Sequence, residues 1–349
     1  MVHRSLASPG VLVASLAILS MSGVLVGGQG PPPPTGVGVG ESLARQSYTA
    51  PRNLYGQPDL EGFWTNQTYT PLERPDNVTK AFYTPEEVAA ITQGRGEREA
   101  SQTVPGTRAD VHYDFTQFGL DRSQATMTRN LRTSLIVDPP NGKLPPRTAE
   151  GRQRAAGTRA AREARGGAND AVENMPIGAR CIIMGGAGPP MMNTGYNSNY
   201  HIVQGPDHVM ILVEMIHDAR VIPLDGRSEP PAEVRQWMGM SRGRWEGDTL
   251  VVETVNFNGK NPFRGSSERM RVTERFTRVA DDDIEYTFTV EDEATWESPW
   301  TANMPMTRTK GPLFEHACHE GNYGVTNTLA GARAEERRAA GVTTNPGRE

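Results

Sequence analysis

With 2 Cys among its 349 residues, the chain can build neither a disulfide framework nor a four-thiolate zinc site. It has no excess of basic charge. The 36 Lys+Arg stand against 41 Asp+Glu, a formal net charge of -5, which leaves no general attractive field for nucleic acid. Only one long apolar run is present, near the N-terminus, and that excludes a polytopic membrane protein. There is no G-x-S-x-G nucleophile elbow, no P-loop lysine motif and no G-x-G-x-x-G between a strand and a helix. Gly185-Gly186-Ala187-Gly188-Pro189-Pro190 is rich in glycine, but its prolines lack amide donors and no Lys-Ser/Thr follows. It reads as a loop rather than a phosphate cradle, and no cofactor is expected.

What is abundant is turn chemistry: 37 Gly and 27 Pro favour a loop-rich, strand-rich protein over a helical bundle. Residues 1–28 read as a signal peptide, with Arg4 in a weakly positive start, an apolar stretch from Val11 to Val26, and a small-residue cleavage site at Gly28. An uncleaved anchor helix is the alternative; cleavage leaves no stable membrane insertion. Residues 29–47, which carry Pro31-Pro32-Pro33-Pro34, read as a tether. A single β-rich domain is expected over 48–341, with 342–349 a disordered tail. Arg147, Arg152, Arg154, Arg159, Arg162 and Arg165, set among alanines, mark a basic surface insertion near 144–170.

Thr84-Pro85-Glu86-Glu87 opens a helix reaching about Gly94, with Thr84 as its N-cap. Arg132 to Asp138 reads as a strand halted by Pro139-Pro140. Tyr200 to Gln204 and His208 to Ile216 flank a Gly-Pro-Asp turn. Arg242 to Trp245 and Thr249 to Val255 flank Glu246-Gly247-Asp248, and Arg271 to Val279 and Ile284 to Val290 flank an acidic turn with period-two alternation. Thr301 to Thr309 supplies another strand, and Ala330 to Ala340 a charged, exposed helix. The fold class is therefore mainly β (α+β): an antiparallel meander forming a barrel or a strongly curved sheet, with a few peripheral helices.

Several segments occur in an order that resembles an uncharacterised family of secreted bacterial proteins. They are Pro58 to Trp64 (PDLEGFW), Arg132 to Gly142 (RTSLIVDPPNG), Met215 to Gly226 (MIHDARVIPLDG), Ser241 to Thr254 (SRGRWEGDTLVVET) and His316 to Gly324 (HACHEGNYG). The resemblance spans about Tyr48 to Ala340. It implies export, to the periplasm or beyond, and a single folded unit; it transfers no chemistry.

Two segments concentrate the ionisable groups. In Met215 to Arg220 an apolar strand ends in His217, Asp218 and Arg220, and a histidine beside a carboxylate at a barrel mouth suits proton transfer. On an extended strand, His217 shares a face with Met215 and Ala219, and Asp218 with Ile216 and Arg220. The bland reading is an Asp-Arg pair that fixes the turn before Pro223. In His316 to Tyr323, Glu320 and Tyr323 are the acid/base candidates, while His319 and Asn322, with Arg220, are the substrate-binding ones. His316, His319 and Glu320 offer a divalent metal a lesser alternative site, in an order (H-x-x-H-E) that matches no metalloprotease motif. In an exported chain Cys181 and Cys318 have only each other as partners, and a bridge across 137 residues stabilises by about 5 kcal/mol at most; a nucleophilic thiol is the runner-up. Met184, Met191, Met192, Met238, Met240, Met304 and Met306 are too scattered to favour a copper site over packing. Trp64, Trp237, Trp245, Trp296 and Trp300 serve either as core or as the wall of an aromatic-ligand cavity.

Two functions follow as expectations. One is an exported enzyme enclosing a small organic molecule, aromatic ones among the candidates, and using acid/base chemistry of the lyase, isomerase or hydrolase kind. The other is a non-catalytic periplasmic ligand-binding or envelope-associated protein; zinc or copper binding ranks below both. A small-molecule ligand is the expected partner and nucleic acid is not.

Overall fold

The computed structural model describes residues 48–100, 130–186 and 188–341. The expected signal peptide, tether and C-terminal tail lie outside these residues, as does Ala187 of the glycine-rich loop. Eleven strands are present: β1 (Gly62–Thr65), β2 (Ile136–Asp138), β3 (Asn199–Gln204), β4 (His208–Val213), β5 (Ala219–Pro223), β6 (Met240–Glu246), β7 (Thr249–Val255), β8 (Arg271–Ala280), β9 (Asp283–Glu291), β10 (Trp300–Asn303) and β11 (Met306–Arg308). Among the described residues there are three α-helices, α1 (Pro85–Ala100), α2 (Ala149–Ala164) and α3 (Tyr323–Ala339), joined to the strands by turns and irregular segments. No described helix is long and apolar enough to cross a membrane.

Nine strands run antiparallel in the order β5-β4-β3-β1-β11-β9-β8-β7-β6, and β10 pairs with both β9 and β2. The two ends of this path, β5 and β6, approach each other without a hydrogen-bonded ladder, so the sheet forms a nearly closed barrel. Alternation drives it. In β8, Val272, Glu274, Phe276 and Arg278 are buried while Thr273, Arg275 and Thr277 are not, as a strand with one interior face requires. Trp64, Trp300, Tyr200, Tyr286, Phe276 and Phe288 are fully buried, with the Phe276 and Tyr286 rings stacked at 4.7 Å.

The open seam depends on a glycine. A Cβ on Gly243 of β6 would stand 2.7 Å from Leu224 Cδ2 and 2.9 Å from Ile222 Cγ2. Gly243→Ala is therefore expected to push β5 and β6 apart and to lower stability by about 1–3 kcal/mol in urea unfolding. An unchanged midpoint would show that the seam is loose.

Several elements differ from the sequence expectation. Thr301 to Thr309 divides into β10 and β11 at Met304-Pro305, because proline has no amide for the ladder. Only Ile136–Asp138 of the expected strand from Arg132 pairs with β10. The amides of Thr133 and Leu135 instead donate to the carbonyls of Ala81 and Pro71. Helix α3 begins seven residues before Ala330. Its start is fixed by the neighbouring Cys181–Cys318 disulfide (Cα–Cα 5.6 Å) and by Asn322 Nδ2, which donates to the Ala179 carbonyl at 3.0 Å. Thr84 does cap α1, its hydroxyl accepting from the Glu87 amide while the Glu87 carboxylate accepts from the Thr84 amide, a capping box. The basic segment forms α2, and its first turn is docked. Thr148 caps it, Gly151 is buried against Thr295, and Arg154 donates to the Ala294 and Gly265 carbonyls.

Candidate functional site

A charged network crosses the barrel interior. Arg220 on β5 and Glu274 on β8 form a two-point ion pair, with Nη1 to Oε1 at 3.1 Å and Nη2 to Oε2 at 2.6 Å; their side chains are 2% and 0% exposed. Burial opposes the Arg220 cation, but the Glu274 carboxylate outweighs it and the guanidinium pKa is raised. Tyr286 donates its hydroxyl to Glu274 Oε1 at 2.8 Å and accepts from the Met191 amide at 3.0 Å. Burial pushes the Tyr286 and Tyr200 phenols up, so both act as neutral hydrogen-bonding groups. Arg220 Nη2 also donates to Ser241 Oγ at 3.4 Å, and Ser241 shares a 2.8 Å hydrogen bond with Thr254.

At the seam this network meets the surface. A cleft of about 760 Å³ opens between β5 and β6, lined among others by Asp218, Arg220, Trp237, Met238, Ser241 and Arg242. That volume lies in the range of small-molecule sites. Asp218 Oδ2 is buried and has no hydrogen-bond partner among the described residues. Burial pushes the Asp218 carboxyl above its ordinary pKa, against the opposing charge of His217. Arg242 has a buried, unpartnered Nε and makes no ion pair among the described residues.

The strand expected from His208 to Ile216 stops at Val213. Met215–His217 instead form a helical turn, in which Ile216 (φ 61°) and His217 (φ 47°) take the left-handed conformation. The alternation expected for an extended strand is thereby overturned: Met215 and Ile216 are both buried, His217 and Ala219 both exposed. A β-branched residue in this region is strained. Buried Glu214 holds the turn in place, accepting from Asn199 Nδ2 at 2.7 Å and from the Phe314 amide at 3.4 Å. His217 Nδ1 lies 3.1 Å from the His316 carbonyl. A carbonyl only accepts, so Nδ1 carries the proton and Nε2 is left to accept in the neutral ring.

The two ionisable segments are thus neighbours, but they do not form one site. Asp218 and Arg220 line the cleft; His217 stands beside it, exposed. His319, Glu320 and Tyr323 are exposed and line none of the described cavities, and Asn322 serves the loop, also donating to Cys181 Sγ at 3.2 Å. Among the described residues no group of three or more His, Cys, Asp or Glu is placed to hold a metal ion, His316, His319 and Glu320 included. Met191, Met304 and Met306 are core residues, and the disulfide occupies both thiols. Of the five tryptophans, Trp64, Trp296 and Trp300 are core, while Trp237 lines the cleft.

Sequence reasoning missed Glu274, Ser241, Tyr286 and Arg242. The signal for Glu274 was present: in the alternation of β8 it occupies an interior position between Val272 and Phe276. No protein family, curated protein or solved structure matches this chain.

Proposed function

We propose that this is an exported protein, periplasmic or secreted, that binds a small organic molecule in the seam cleft and uses Asp218 as a general acid/base in a lyase, isomerase or hydrolase reaction. The observation that carries the reading is the Asp218 carboxyl, one oxygen buried and unpartnered, in a cleft it shares with an unpaired guanidinium, Arg242. A carboxyl in such a setting holds its proton to higher pH, as a neutral-pH acid/base requires. Arg220 is a positioning residue, fixed from behind by Glu274. A disulfide is compatible with an oxidising compartment, and the motifs from PDLEGFW to HACHEGNYG support the same placement through their resemblance to secreted proteins.

The test is a thermal-shift screen of small organic compounds against wild type and Asp218→Asn, followed by mass spectrometry of each stabilising compound after incubation. Conversion by the wild type is expected, with the variant slower by about 10²- to 10⁴-fold and still stabilised by the compound. Stabilising compounds that the wild type leaves unchanged would make the protein a binder and remove Asp218 from catalysis.

The same variant tests the environment of Asp218. Its folded pKa is raised, so the stabilisation belongs to the protonated form: it is complete below about pH 4, the unfolded value, and is lost as pH rises through the folded pKa. At pH 7 the raised pKa of the half-buried carboxyl therefore destabilises the fold. Asp218→Asn is expected to raise Tm by about 1–2 °C at pH 7 and to leave it unchanged at pH 3. A lower Tm at pH 7 would mean that the carboxylate has a stabilising partner.

A further inference from the structure

We infer that the seam cleft takes an organic carboxylate carrying an aromatic tail, its carboxylate held by Arg242 and Lys260 and its ring seated against Trp237 in an adjoining apolar annex. The inference rests on the reading of the cleft as a ligand site and names the class of ligand.

Charge is the first argument. Five cations line the cleft, Arg220, Arg227, Arg235, Arg242 and Lys260, against one carboxylate, Asp218. Three of the five are neutralised within the protein. Arg220 pairs with Glu274; Arg227 Nε lies 2.8 Å from both Asp225 oxygens; Arg235 pairs with Glu268. Arg242 and Lys260 make no ion pair among the described residues. The cleft therefore keeps two unpaired cations against one unpaired carboxyl, and the complement of that excess is a compact anion.

Shape is the second. A separate cavity of about 240 Å³ is lined by Trp237, Met238, Phe257, Phe263 and Met270, with Arg264 its one ionisable group. Trp237 and Met238 line both volumes, so the annex adjoins the cationic cleft. Apolar cavities of about 150 Å³ hold a benzene molecule, and this annex therefore admits one ring with a short substituent. Aromatic and thioether walls favour an aromatic guest over an aliphatic one. Lys260 Nζ lies 6.0 Å from the Trp237 ring centroid, which puts one of the unpaired cations beside the wall that the ring would face. Size and charge together exclude large polyanions and neutral hydrocarbons in favour of a small aryl carboxylate.

Calorimetric titration of the full chain with benzoate, phenylacetate and 3-phenylpropanoate, each against its primary amide, and with acetate, tests this. At least one aryl carboxylate is expected to bind about tenfold or more tightly than its amide and than acetate. Arg242→Met lowers the carboxylate affinity by about tenfold and spares the amide. Lys260→Met, at an exposed position whose change leaves folding intact, weakens the carboxylate alone, by about two- to fivefold. Trp237→Ala weakens acid and amide together. Equal affinity for acid and amide, no binding of any of the three acids up to about 10 mM, or undiminished carboxylate affinity in both Arg242→Met and Lys260→Met overturns the inference. If the acids fail but a neutral compound binds the wild type and is released by a substitution in the cleft, the ligand class is wrong and the cleft reading stands; if nothing of either kind binds, both fall.

Discussion

Glu274→Gln is expected to cost about 3–5 kcal/mol of stability, a large loss for a near-isosteric change. The cost comes from the partner left behind. Arg220 is buried with Glu274 as its one counter-charge among the described residues, and a guanidinium cannot escape by losing its proton as a buried lysine can. Glutamine keeps the volume and an acceptor for the Tyr286 hydroxyl, so cavity formation and an orphaned phenol are not the cause. What disappears is the charge. Urea unfolding at neutral pH, with the slope m checked for constancy, reads the effect. A loss below about 1 kcal/mol would mean that water or another group solvates Arg220, and that the interior is not as dry as its burial indicates.

The companion double variant, Arg220→Met with Glu274→Leu, separates stability from purpose. Replacing a buried ion pair by apolar side chains of similar volume is often neutral or stabilising, by about 1–4 kcal/mol. The double variant should therefore recover most of what Glu274→Gln loses. If the pair exists to fix the wall that Arg220 gives the seam cleft, the recovered protein will be folded and poor at binding carboxylates. A stable double variant with full ligand affinity would reduce the pair to a remnant of packing.

How much of this could be read from the sequence divides along physical lines. The hairpins β6–β7 and β8–β9 were legible because period-two alternation and turn residues such as Gly247 (φ 60°) are local signals. The disulfide was legible because only two thiols exist. The β4–β5 turn was not. The run from His208 to Ile216 contains no Gly, Pro or Asn, and the turn is made by forcing Ile216 and His217 into a conformation that neither residue favours. That turn, held by Glu214 against the amide of Phe314, also separated His217 from the cleft that Asp218 lines. The cleft itself has no local signature. It exists because the two ends of a nine-strand path, β5 and β6, come round to face each other, which brings Asp218 and Arg242 into the lining of one cleft through closure of the sheet. Clustering along the chain is likewise no measure of burial: Glu320 and Tyr323, at the start of an exposed helix, are both exposed and line none of the described cavities.

Removing the disulfide should have two distinct effects, because it closes two loops. In the unfolded chain the loop spans 137 residues, for which loss of closure entropy amounts to about 5 kcal/mol as an upper limit. With the barrel intact the relevant loop is shorter, from the end of β11 at Arg308 to Cys318, and the same entropy is worth about 3 kcal/mol. The other links from this segment to the body of the protein are hydrogen bonds such as Phe314 to Glu214, His217 to His316 and Asn322 to Ala179 and the exposed contact of Arg333 with Asp170, and α3 has no buried residue. Net contributions near 1 kcal/mol each cannot order a segment whose every fixed residue costs about as much. In Cys181→Ser/Cys318→Ser the segment is therefore expected to undock while the barrel persists. Hydrogen exchange of α3 amides should accelerate by about a hundredfold, since an isolated helix of this length is marginal in water, whereas β7, β8 and β9 remain the most protected strands. Global unfolding should shift by less than the full 5 kcal/mol, because the undocked form is itself a folded state. Unchanged α3 protection in the variant would show that the segment docks through its own contacts, and the wall that Ile182 and Ile183 give the seam cleft would then be independent of the redox state of its neighbour Cys181.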